Sequence, residues 1–222
     1  RMADDNAAHA YREKRRAQEG IEGRLQQLGR RLRLKKLPRR IECCDISHLG
    51  GREVVAAITA LSDGLPDKSR TRKFHVVGVE GGDDYGAMYQ VLARRFRRGR
   101  DVEPGWELPD LFVVDGGKGQ LNVALAALKD LGFAPGALAV VGLAKEKSDP
   151  LRPEADWVDR VYRPGVKNPI ALRPNTAALY FLARVRDEAH RVANAFQAHI
   201  RRKSRLTSVL DEIPGIGAKS RT

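Results

Sequence analysis

The sequence predicts an α/β fold, a mixed five-stranded sheet flanked by helices, and three observations carry that prediction. Three strand-like runs separated by glycine-containing turns open the body of the chain. A strand–helix–strand unit with fully apolar strands follows, and one long amphipathic helix comes last. Hairpin-joined strands pair antiparallel, whereas a helical crossover implies parallel pairing, so the sheet is mixed.

Each element has a local reason. Residues 5–36 are rich in Ala, Gln, Glu and Arg, with Ile21, Leu25, Leu28 and Leu32 recurring at helical spacing. That narrow stripe reads as a helical arm or linker over 1–38 that docks on something else, ended by Pro38. Gly20, Gly23 and Gly29 predict breaks in it. IECCDISHL, REVVAAITAL and RTRKFHVVGV read as strands, the first followed by a Gly50-Gly51 turn. DDYGAMYQVLARRFRR is a helix with Met88, Val91, Leu92 and Phe96 on one face and Arg94, Arg95, Arg97 and Arg98 around the rest. LFVVD, bounded by Pro and Gly, suits a strand covered on both faces. KGQLNVALAALKDLG is then a helix and ALAVVGLAK a second buried strand. Five prolines and mixed charge make 146–174 irregular. A helix is expected from about Thr176 to Lys203, its apolar edge formed by Leu179, Leu182, Val185, Ala189, Ala193 and Phe196. This order of elements, over 39–205, is the RNase H-like layout.

Composition narrows the partners. Lys and Arg outnumber Asp and Glu by 41 to 28, a formal charge of +13, which implies a polyanion: nucleic acid or an anionic membrane. The membrane is the weaker choice, because no run of eighteen apolar residues and no signal-like opening segment occurs. A cytoplasmic, monomeric chain is expected. The two cysteines, Cys43 and Cys44, are adjacent, which suits a disulfide badly, and no second pair stands at zinc-ligand spacing. They read as buried strand residues in a reducing compartment.

Three residues point to chemistry. Asp45 lies within an apolar strand, where a carboxylate is costly unless paired or bound to a cation; an exposed edge position is the competing reading. Asp115 ends the buried strand LFVVD, where ligands gather in α/β sheets, although a helix N-cap accounts for it equally simply. His190, just off the apolar stripe of the last helix, is by itself an ordinary surface or core residue. Together the three make a donor set for Mg2+ or Mn2+, which activates water against a phosphodiester, with His190 as third ligand or as general acid. Asp84 is a fourth candidate, balanced against a role at a helix start. Gly116, Gly117 and Gly119 allow close approach to phosphate but do not match a nucleotide-hydrolysing P-loop. For DNA binding the candidates are Lys118 and Lys145, after strand ends, and the runs Arg94, Arg95, Arg97, Arg98, Arg201, Arg202, Lys203 and Arg205.

The segments RRIECCDISHLGG, GVEGGDDYGAM, PDLFVVDGGKGQLNVAL, RDEAHR and LDEIPGIGAK, in that order, resemble the UvrC family over most of residues 38–219. The resemblance implies an RNase H-like endonuclease domain of nucleotide excision repair that incises lesion-bearing duplex DNA on the 5′ side. It places catalytic roles on Asp45, Asp115 and His190, a required carboxylate on Asp84, and a UvrB-type repair helicase as partner of the full-length protein. In that family a GIY-YIG domain makes the 3′ cut, and this sequence does not contain one. IPGIGAK resembles the first hairpin of a helix-hairpin-helix pair, so 206–222 reads as a truncated start of that segment, and weak DNA affinity is expected of the chain alone. Cys44 replaces the family's usual Phe, and 148–168 is longer and more charged than usual. Two competing readings remain: an RNase H-like scaffold that binds DNA or a partner without cutting, and a nuclease for a hybrid or a DNA junction.

Overall fold

A computed structural model describes residues 18–50, 53–78, 83–145, 159–173 and 176–211, the side chains of 48–50 and 204–211 excepted. Helix α1 (18–32) leads into strands β1 (Arg40–Gly50) and β2 (Glu53–Ser62), the two-residue β3 (Leu65–Pro66) and β4 (Arg72–Val77). Helix α2 (Asp84–Arg100), β5 (Leu111–Asp115), α3 (Lys118–Asp130) and β6 (Ala139–Ala144) follow. Then come β7 (Asp159–Tyr162), β8 (Ile170–Leu172) and α4 (Ala177–Asp211).

The sheet runs β3-β2-β1-β5-β6-β7-β8, with β4 also pairing with β2. β1 is central: it pairs antiparallel with β2 and parallel with β5. β5 and β6 are parallel, and β6, β7 and β8 continue antiparallel. The mixed sheet and its flanking helices are those expected, but the described residues hold eight strands rather than five. β3 is too short to leave a pattern. β7 and β8 lie in the stretch expected to be irregular, where Pro164 and Pro169 occupy the turn between short strands and cost no ladder hydrogen bond.

Strand alternation divides the apolar residues into two layers. Cys44, Phe112, Val114 and Val140 face α2 and α3, whereas Cys43, Val113, Val141 and Leu143 face α1 and α4. Leu25, Leu28 and Leu32 of α1 are fully buried in this second layer. The expected breaks at Gly20, Gly23 and Gly29 do not occur, and α1 is continuous from 18 to 32. Each buried leucine contributes ~1.5–3 kcal/mol, against ~1 kcal/mol lost per helical glycine, so packing wins.

Two further expectations change. Arg95, expected on a DNA-facing surface, is 2% exposed. Its Nε and Nη2 donate to Glu42 at 2.8 and 2.7 Å, and Nη1 and Nη2 also donate to the carbonyls of Trp106 and Glu107. A guanidinium paired in this way serves packing at the end of the sheet opposite Asp115. In α4 the buried stripe is Ala178, Phe181, Leu182, Val185, Ala189, Val192 and Ala193. Leu179 and Phe196 are only half-buried, and the helix runs past Lys203 to Asp211. The IPGIGAK segment lies outside the described residues.

Candidate metal centre

Parity in the strands builds the site. Asp45 is two residues on from Cys43, and Asp115 two on from Val113, so both carboxylates leave the sheet on the α4 side, from adjacent parallel strands. His190 descends from α4 one residue after the buried Ala189. Ligand atoms of Asp45, Asp115 and His190 all lie within 4.8 Å of one another. His190 Nδ1 is 3.0 Å from Asp45 Oδ2. Asp45 is buried, Asp115 is half-buried, and the imidazole is exposed, so the cluster reaches solvent through His190.

The electrostatics are those of a pair of acids short of positive charge. Burial raises the Asp45 carboxyl above its ordinary value, while the His190 hydrogen bond and charge and the Ile46 N–H pull the other way. Burial, followed by the Asp45 charge, pushes Asp115 up to about 6; Arg186 and His190 oppose this, and Asp187 adds to it. Two carboxylates that hinder each other's ionisation, beside an imidazole nitrogen, are a donor set that a divalent cation fits.

Glycines let the backbone hold Asp115 in place. Gly116 has φ +145°, and its N–H donates to Leu143 O at 2.9 Å, extending the β5–β6 ladder. Across the ladder, a Cβ on Gly142 would stand 2.9 Å from the carbonyl oxygens of both Gly116 and Gly117, so only glycine allows this turn to lie over β6. Gln120 Oε1 then accepts from Gly117 N–H at 3.1 Å and fixes the start of α3.

Arg186, one turn before His190 on α4, escaped the sequence reading although it opens RDEAHR. Its side chain is 8% exposed, and Nη1 lies 3.2 Å from Asp159 Oδ1 of β7. That contact is an ion pair by distance but too oblique for a hydrogen bond. Its Nε lies 3.3 Å from Asp187 Oδ1. Asp159 could not be found from sequence because its strand was not.

Asp84 is not among the three clustered residues; it is exposed in the first turn of α2. The N-cap is Asp83, which accepts from Gly86 N–H at 2.8 Å, and Asp84 stands in the first turn, where its charge also favours the helix dipole. A Cβ on Gly119 would meet the Tyr85 hydroxyl at 2.5 Å, which sets the first turn of α2 against that of α3, close after Asp115. Lys118 and Lys145 are exposed at the ends that follow β5 and β6. Arg94, Arg97 and Arg98 are exposed along α2, with Arg94 over the Phe74 ring and Arg98 4.3 Å from the Trp106 ring centroid. Arg201, Arg202 and Lys203 are exposed near the end of α4, and the Arg205 side chain is outside the description.

Residues 29–193 match the family model of the UvrC RNase H endonuclease domain. The chain belongs to this family. UvrC relatives extend the likeness beyond that span. "UvrABC system protein C" of Syntrophotalea carbinolica is 44% identical over 99% of the chain and 36% of its own length. That of Trichlorobacter lovleyi is 46% identical over 98% and 36%. The chain therefore spans about a third of the curated UvrC relatives it matches. Among solved structures, human ENDOV is similar at 16% identity and a TM-score of 0.47, covering 84% of this chain and 99% of that one. A likeness of that degree decides nothing about the site. No helix among the described residues is long and apolar enough to cross a membrane.

Proposed function

We propose that the chain is the divalent-metal-dependent endonuclease domain of a nucleotide excision repair nuclease, cutting lesion-bearing duplex DNA 5′ to the lesion. The observation that supports this reading is the convergence of Asp45, Asp115 and His190 within 4.8 Å on one face of the sheet. Asp45 and Asp115 would hold Mg2+ or Mn2+ with the His190 imidazole as the third donor. When bound, such an ion activates water and neutralises charge on the scissile phosphate and the leaving oxygen. The chain's own residues then divide the remaining work. The Asp45–His190 contact orients the imidazole toward the shared ion. Asp84, exposed in the first turn of α2, supplies a further carboxylate. Arg186 holds positive charge next to Asp115 and ties β7 to α4. Exposed Lys118, Lys145, Arg94, Arg97, Arg98, Arg201, Arg202 and Lys203 follow the DNA backbone as phosphate contacts. The relatives' name supports action with UvrA- and UvrB-type partners in the full-length protein, in the cytoplasm.

End-labelled duplex carrying one bulky adduct tests this reading, with the full-length protein, its repair partners and Mn2+. A discrete metal-dependent cut on the 5′ side is expected, lost when Asp115 becomes Ala while the 3′ cut persists. A 5′ cut that survives that substitution would remove the site from the reaction.

A further inference from the structure

The turn between β7 and β8, which the sequence left unassigned, closes a cavity of about 270 Å³ against the first turns of α3. Lys118 and Asn122 line it from α3, and Arg163 and Lys167 from the turn. Among the described residues no carboxylate lines it and none pairs with these three cations. Lys118 and Lys167 are exposed. Arg163 is held from behind: Nη1 donates to Leu32 O at 3.3 Å, at the end of α1, while its buried Nε has no partner. The volume equals that of about nine waters at ~30 Å³ each, enough for one phosphate group with part of its hydration shell.

The cavity is coupled to the metal centre through the backbone. Lys118 follows Asp115 by three residues, so their Cα atoms are at most ~11 Å apart. Between them, Gly117 packs beside the ring of Tyr162, the residue before Arg163. Leu121 and Tyr162 belong to the layer under α2 and α3, so the cavity lies beside that layer, whereas Asp45 and Asp115 face α4. We propose that this cavity is a phosphodiester subsite, in which Lys118, Arg163 and Lys167 seat a phosphate of the DNA backbone. The subsite rests on the nuclease reading for its purpose, but not for its affinity.

The test is duplex binding without divalent metal, followed by fluorescence anisotropy between 50 and 200 mM salt. Both lysines are exposed, so Lys118→Gln and Lys167→Gln leave the fold intact. Each is expected to flatten the dependence of log K on log salt by about 1, equally for all sequences. Lys129→Gln, at the far end of α3, should leave the slope unchanged. A duplex with 5′-hydroxyl ends should bind like one with 5′-phosphate ends; binding that needs the terminal phosphate would overturn the internal phosphodiester assignment. Parent slopes in both lysine variants would overturn the subsite itself. Flattened slopes in a protein that never nicks DNA with Mn2+ would retain the subsite and sink the nuclease reading instead.

Discussion

Asp45→Asn is expected to abolish Mn2+-dependent nicking of supercoiled plasmid by this chain while its circular dichroism stays native. Asp45 is the residue on which the site's contacts meet: it comes from the central strand, neighbours Asp115, and holds His190 through a 3.0 Å contact. Loss of an outer partner of a metal ligand typically costs ~10–100-fold, so loss of a proposed ligand that also orients another should cost more than ~100-fold. The amide is isosteric and relieves the repulsion with Asp115, so the fold has no reason to fail. Nicking within tenfold of the parent would take Asp45 out of the mechanism.

Asp115→Asn should stabilise the metal-free protein at pH 8 while destroying its response to metal. The carboxyl at 115 is pushed up to about 6 by burial and by Asp45, about 2 above an ordinary aspartate at ~3.9. The native state therefore binds more protons than the unfolded chain between about pH 4 and 6. Stability of the metal-free protein falls as pH rises through that window and is level above it. The cost at pH 8 is on the order of 2–3 kcal/mol, and an amide removes it, raising the thermal midpoint by several degrees. Near pH 4 parent and variant should agree. Saturating Mn2+ closes the gap: at ~100 Kd an ion contributes about 2.7 kcal/mol to the parent and little to the variant, which brings the two level. Scanning calorimetry with and without EDTA reads both effects. A variant less stable than its parent in EDTA at pH 8 would contradict this account of the site's charge.

Much of this was legible in the residues, for reasons that can be named. A strand keeps parity, so an acid two residues from a buried Cys or Val had to share its face. That pairs Asp45 with the face of Cys43 and Asp115 with the face of Val113; only the β1–β5 register shows that the two faces are one. The apolar stripe placed His190 on the last helix, just off its buried edge, while the face of the sheet that helix covers comes from the packing. Arg95 was misread although its signal was present: Met88, Val91, Leu92, Arg95 and Phe96 recur as i, i+3, i+4, i+7 and i+8, and the fourth member of a buried stripe happens to be charged. Nothing local announced its partner Glu42, 53 residues away. β7 and β8 were hidden because their strands of four and three residues are too short for alternation to show among prolines. With them went Asp159 and the cation-lined cavity, both of which depend on a pairing partner distant in sequence.

One divalent ion is expected to sit between Asp45, Asp115 and His190. Crystals soaked in Mn2+ and measured at the manganese edge address it most directly. The account predicts a single strong anomalous peak within ~2.5 Å of an oxygen from each aspartate, with a His190 nitrogen in the same shell. A peak elsewhere, or an empty site with the three side chains turned apart at saturating Mn2+, would contradict it.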